Sequence, residues 1–161
     1  MMGVMSVDPL SRLPAALRDV PYAGARHPGA AALPGSPPYD VPPYDVSAGA
    51  NCQLYAYAVL RHFGREVPPL RSAELWADTA ATARAEPPGP LDLVLFDAGE
   101  VPGRPAGYGA HVGVYLGPGQ VLHLCKEAGR PAVWSYADFA ERPRYARFLG
   151  AKRVRGAGVS R

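Results

Sequence analysis

Two alternating apolar runs, HVGVYLG (111–117) and QVLHLCK (120–126), flank Pro118-Gly119 and constrain the fold more than any other stretch. Short runs of β-branched, leucine and tyrosine residues joined by such a pair read as an antiparallel hairpin. Each run carries one histidine, His111 and His123, twelve positions apart. Side chains alternate between the faces of a sheet, so the turn decides whether both imidazoles share a face. A three-residue turn, Gly117-Pro118-Gly119, with Leu116 opposite Gln120 places His123 opposite Gly113. Gly113 shares a face with His111, so the rings become diagonal neighbours with no side chain between them. A two- or four-residue turn sends His123 to the other face.

Upstream, GANCQLYAYAVLRHFG repeats apolar residues at helical spacing and predicts a helix over 51–64. Asn51 is its expected N-cap, and Gly64 sits where a C′ glycine ends a helix. A second helix is expected over 71–84, with Ser72 as a cap and Pro87-Pro88-Gly89-Pro90 as its stop. Beyond that break the pattern turns to strands, at 91–97, the hairpin, 132–134 and 146–154, with a helical turn at 136–141. Helices first and antiparallel strands after predict an α+β fold. The first fifty residues are rich in Pro, Gly and Ala, and repeat PPYDV at 37–41 and 42–46. Proline fixes φ and removes a donor, so residues 1–48 are expected as an extended surface arm. The folded domain is then expected over 49–155 and a tail over 156–161. Tyr39 or Tyr44, carried by the arm, is a candidate to reach the rim of a site.

The chain has 161 residues, 48% hydrophobic and 19% charged, which suits one globular domain with a real core. Its net charge of +3 owes much to Lys152, Arg153, Arg155 and Arg161, and no basic block or aromatic–basic pattern reads as nucleic-acid binding. Two cysteines, Cys52 and Cys125, are too few for a disulfide scaffold, and no Cys/His spacing predicts a metal site. No apolar run reaches the roughly eighteen residues that a membrane span needs. Asp8, Pro9, Arg12 and Pro14 interrupt the start where an export signal needs hydrophobes, so a cytoplasmic location is expected.

The chemistry concentrates in three residues. Cys52 opens its helix, where the dipole and unsatisfied N–H groups favour a thiolate and can hold an oxyanion. His111 is the expected proton carrier, forming a thiolate–imidazolium pair and later protonating the leaving group; His123 orients its ring.

On these residues the stretch from about 50 to 154 resembles the NlpC/P60 cysteine hydrolases, papain-like bacterial enzymes. The family's helix-opening Asp-Cys-Ser-Gly is similar to Asn51-Cys52-Gln53-Leu54, and its Gly-Asp-Leu-Val-Phe-Phe strand to residues 91–96. Its His-Val-Gly-Ile-Tyr-Leu-Gly strand is nearly reproduced by 111–117, His123 matches the third polar residue, and Gly-Ala-Arg-Arg-Val resembles 150–154. The resemblance implies a papain-like fold, a Cys-bearing helix packed on a small antiparallel sheet that carries the histidines, with catalytic Cys52, His111 and His123 and amide hydrolysis through a thioester acyl-enzyme. It implies no cofactor. The usual substrate is a peptidoglycan stem peptide, cut next to D-glutamate. The positions of Asn51 and Gln53 are those that hold the substrate's amine end in the family. Here the family's Asp and Ser are replaced by Asn51 and Gln53, which removes a charge from that anchor. Two other readings fit the same residues: an intracellular amidase or acyltransferase in biosynthesis or muropeptide recycling, and a non-catalytic binding module on the same fold.

Other residues carry less. Cys125 alternates onto the face of His123 and reads as a strand cysteine. His62 lies about 15 Å along the helix from Cys52, and His27 belongs to the arm. Trp76 and Trp134 read as core or groove wall, Asp92 as a turn residue, and Arg104 and Tyr108 as loop residues within reach of a substrate.

Overall fold

The computed structural model describes residues 9–31 and 44–156 of the chain. Two short helices come first, α1 (Ala15–Arg18) and α2 (Pro28–Ala31), followed by the long α3 (Cys52–His62) and α4 (Ser72–Ala77). Strands β1 (Thr82–Ala85), β2 (Leu93–Asp97), β3 (His111–Gly117), β4 (Gln120–His123) and β5 (Ala132–Ser135) follow. Helix α5 (Tyr136–Ala140) and β6 (Arg147–Val154) complete the chain. The sheet has the order β1-β6-β2-β3-β4-β5, with every pairing antiparallel. This is the α+β architecture that the sequence predicts, with the cysteine at the start of the helix on the sheet.

Residues 53 to 60 of α3 are all buried. A helix apolar all round needs cover on every side. The sheet covers one side with Leu93, Leu95, Val112, Val114 and Leu122. Leu13, Leu17 and Val20 join the same core, and the Tyr55 hydroxyl donates to Leu17 O at 2.7 Å. Residues 9–31, expected as part of an extended arm, are therefore folded into short helical turns over α3. A single parallel bridge, Tyr22 to Ala50, pins them beside the start of that helix. The opposite face of the sheet builds a second core from Val94, Phe96, Val121, Cys125, Phe139, Tyr145 and Ala151, under α5.

The second expected helix is cut short. α4 ends at Ala77, and the Asp78 carboxylate accepts from the N–H groups of Ala80, Ala81 and Thr82 and from Thr82 Oγ1. Buried Lys152 donates to the carbonyls of Trp76 and Asp78, which holds the end of α4 against β6. Residues 82–85 then pair with β6 as an edge strand. Pairing outweighs the helix preference of the alanines there.

The hairpin reaches the expected register by another route. Val114 faces Leu122 and Tyr115 faces Val121, as a three-residue turn would place them. The turn itself has two residues, Pro118 and Gly119, because Gly117 pairs with Gln120. Gly119 takes φ +68°, open to a residue without Cβ. Leu116 is the extra residue of a β-bulge, and the bulge restores the parity that the shorter turn would reverse. Gly113 lies between the two histidines, and a Cβ there would stand 2.5 Å from Val121 Cγ1 and 3.3 Å from His123 Cβ. Gly113→Ala is expected to destabilise the fold by about 1–3 kcal/mol through overpacking. A urea titration against wild type measures it; an unchanged midpoint would show that β4 yields freely.

Candidate active site

Asn51 caps α3 as expected, its Oδ1 accepting from Leu54 N at 2.9 Å. Cys52 is thereby fixed as the first residue of the helix, with part of its surface open. Its sulfur is approached by the backbone N–H groups of Val112 and Gln53. The Val112 N–H belongs to the peptide that joins it to His111, so the thiol lies beside the opening of β3. Burial pushes the thiol up to about 11, against the pull of those N–H groups. The helix start alone predicts a thiolate; in the folded site desolvation outweighs it.

His111 Nε2 and His123 Nδ1 are 2.9 Å apart, with the rings nearly perpendicular at 87°. Both rings project from the face that carries the second core: His111 packs on Tyr145 (centroids 4.5 Å) and His123 on Trp134 (4.2 Å) and Phe139 (4.8 Å). Val112, Val114 and Leu122, which meet α3, lie on the other face. Cys52 packs on the α3 side of the sheet, beside the opening of β3, and the imidazoles lie on the other side. No hydrogen bond joins its sulfur to either imidazole among the described residues. Nε2 of His111 is engaged with His123, which leaves Nδ1 as the other nitrogen of that ring. Burial pushes His111 down to about 3. Burial, with His111 and Arg142 adding to it, pushes His123 down to about 2. Burial thus favours the neutral form of all three groups, the thiol and both imidazoles.

The other candidates divide. Gln53 is buried, and its Nε2 donates to Leu70 O at 3.1 Å and reaches the Tyr57 hydroxyl at 3.4 Å. Tyr44 is buried against Tyr57 (centroids 5.5 Å), and its hydroxyl donates to Val67 O. Both side chains are tied into the core beneath α3 rather than presented at the rim. Tyr39 lies outside the described residues. Arg104 stacks on Tyr108 (4.7 Å), and both line a cavity of about 580 Å³ with Asp97, Glu100, Arg147 and Leu149. Cys52, His111 and His123 are not among its lining residues. Asp92 is fully buried and holds Arg153 through two bonds of 2.8–2.9 Å, a structural pair.

Tyr22 and Tyr145 are neighbours of the cysteines that the sequence did not reveal. The hydroxyls of both are raised first by burial, and further by any thiolate at Cys52 or Cys125. Tyr22 is brought there by its bridge to Ala50, and Tyr145 by the turn after α5. Neither carries a local signal, since a single backbone bridge leaves no periodicity. Among the described residues, no group of three or more His, Cys, Asp or Glu side chains is placed to hold a metal ion. No described helix is long and apolar enough to cross a membrane.

No known protein family profile matches the chain, and no curated protein matches it. Among solved structures, it is similar to the peptidoglycan hydrolase RipB from Mycobacterium tuberculosis, at 19% identity over 94% of this chain and 73% of that one, with a TM-score of 0.44. It is similar also to the NlpC/p60 domain of the peptidoglycan hydrolase SagA, at 24% identity over 58% of this chain and 74% of that one, with a TM-score of 0.42.

Proposed function

We propose that this protein is a cysteine hydrolase that cleaves an amide bond of a peptide, by default a peptidoglycan stem peptide or muropeptide. The observation that carries this reading is the 2.9 Å contact between His111 Nε2 and His123 Nδ1, with Cys52 beside the peptide that follows His111. A thiol at a helix start, a base with one free nitrogen and an orienting residue behind it are the parts that acyl transfer needs.

The reaction runs from the neutral pair. His111 Nδ1 takes the thiol proton as Sγ attacks the carbonyl carbon. Backbone N–H groups at the start of α3 are the donors for the negative charge that develops on the carbonyl oxygen. The imidazolium gives its proton to the leaving amine, and a thioester to Cys52 remains. Water then attacks the thioester, its proton passing to His111, and the carboxylic acid departs with the thiol restored. Creating both charges together suits a buried site, because an isolated charge there is costly.

Incubation with stem tetrapeptides and muropeptides, read by mass spectrometry, tests the substrate. Cleavage at a single amide, giving a new amine and a new carboxylate, is the expected result. An intact peptide alongside full acylation of Cys52 by simple thioesters would overturn the wall substrate. That outcome favours the amidase or acyltransferase reading, to which the engaged Gln53 and uncharged Asn51 also point, since neither offers a charged anchor for an amine.

A further inference from the structure

His123 is fully buried, and its Nε2 has no hydrogen-bond partner, although its Nδ1 meets His111. Proton bookkeeping decides what that nitrogen carries. If Nδ1 of His111 receives the thiol proton, Nε2 of the same ring must already hold a proton and donate it to His123 Nδ1. His123 Nδ1 is then an acceptor, so the proton of His123 sits on Nε2, the nitrogen without a conventional acceptor. The opposite tautomer would put a lone pair there and leave His111 Nδ1 protonated, unable to take the thiol proton.

The His123 ring stands 4.2 Å from Trp134, centroid to centroid, at an interplanar angle of 64°. An aromatic face carries negative charge density, so it accepts an N–H and repels a lone pair. Trp134 is itself well fixed. It pairs with Val121 in the sheet, and the Arg142 guanidinium lies 4.0 Å over its ring. Arg142 is held in turn by Glu127, through contacts of 2.7–3.0 Å, and donates to Asp138 O at 2.6 Å. We propose that Trp134 is a positioning residue: its ring receives the His123 Nε2–H and so selects the tautomer that keeps His111 Nδ1 free for the Cys52 proton. The inference rests on the reading of His111 as the proton carrier. Trp134 touches no reacting atom and no proton passes to it.

Long-range ¹H–¹⁵N correlation on histidine-labelled protein reads the tautomer directly and needs no substrate. The wild-type protein is expected to show His123 protonated at Nε2 and bare at Nδ1. Trp134→Leu keeps an apolar side chain there without an aromatic face and should lose that single signature. Trp134→Phe should keep it. A proton on His123 Nδ1 in the wild type would overturn the proposal, even where the leucine variant fails to fold. An unchanged Nε2–H tautomer in a folded Trp134→Leu protein would overturn it equally. A wrong substrate assignment leaves these spectra untouched, so the two failures are distinguishable.

Discussion

Replacing Cys52 with alanine is expected to lower amide turnover by roughly 10⁴–10⁶-fold while the protein stays folded. The covalent step proposed above needs the sulfur, which an alanine side chain cannot supply. The thiol adds little to stability, since its neighbours on α3 carry the packing and Asn51 caps the helix without it. His111→Ala is expected to cost roughly 10²–10⁴-fold, the usual worth of a general acid–base. Rates should be compared at one pH and with thermal unfolding measured beside them. A Cys52→Ala protein that hydrolyses at the wild-type rate would reject covalent catalysis. A binding module would instead keep its biological effect without any turnover in the parent protein.

The second large effect concerns stability in acid. Burial holds His111 at about 3 and His123 at about 2, against 6.5 for the free side chain. The unfolded chain therefore takes up protons below about 6.5 that the folded chain refuses. Stability is complete above that pH and falls as the pH drops towards the folded values. Each unit crossed costs up to about 1.4 kcal/mol per histidine. Between pH 6.5 and 4.5 the pair withdraws on the order of 5 kcal/mol, a large share of the roughly 5–15 kcal/mol of a typical domain. Cys52 acts at the other end: its thiol titrates at about 11 when folded and 9.0 when free. The unfolded state then loses its proton first, and stability declines above pH 9. Urea midpoints measured from pH 4.5 to 10 should trace a plateau with two falling limbs. His123→Gln should flatten the acid limb. An equal midpoint at pH 7.5 and pH 5 in the wild type would show that the imidazoles titrate as free side chains.

The strand pattern after Pro90 and the helix at Cys52 were legible because each is set by local periodicity and by its own caps. The pairing of His111 with His123 was legible for a different reason. It depends on sheet parity, and parity survives here because the bulge at Leu116 compensates a turn one residue shorter than expected. Nothing local marks Leu116 as a bulge residue, so the right register came with the wrong turn. The folding of 9–31 was hidden by its prolines and glycines. It follows from the demand of α3 for cover on its outer side, which appears only once the helix is seen to be buried all round. β1 was hidden because alanines that suit a helix are held in a strand by β6, Asp78 and Lys152, a tertiary effect. Tyr44 was a rim candidate as part of a surface arm and Gln53 from the family position it resembles, but each satisfies a carbonyl below α3, at Val67 and Leu70. The charge state of the site was the least legible part. A helix start promises a thiolate, and the desolvation that reverses it depends on packing from segments remote in sequence.

The central claim is that Cys52 and the histidines rest as a neutral thiol and neutral imidazoles, with charge created only in the reaction. The pH dependence of Cys52 alkylation by iodoacetamide, followed by peptide mapping in a Cys125→Ala background, tests it most directly. Labelling is expected to be slow at pH 6 to 7, with a rate that climbs towards a midpoint near 11, above the 9.0 of a free thiol. Fast labelling at pH 6 that is already level by pH 7 would contradict it, and would establish a preformed thiolate–imidazolium pair.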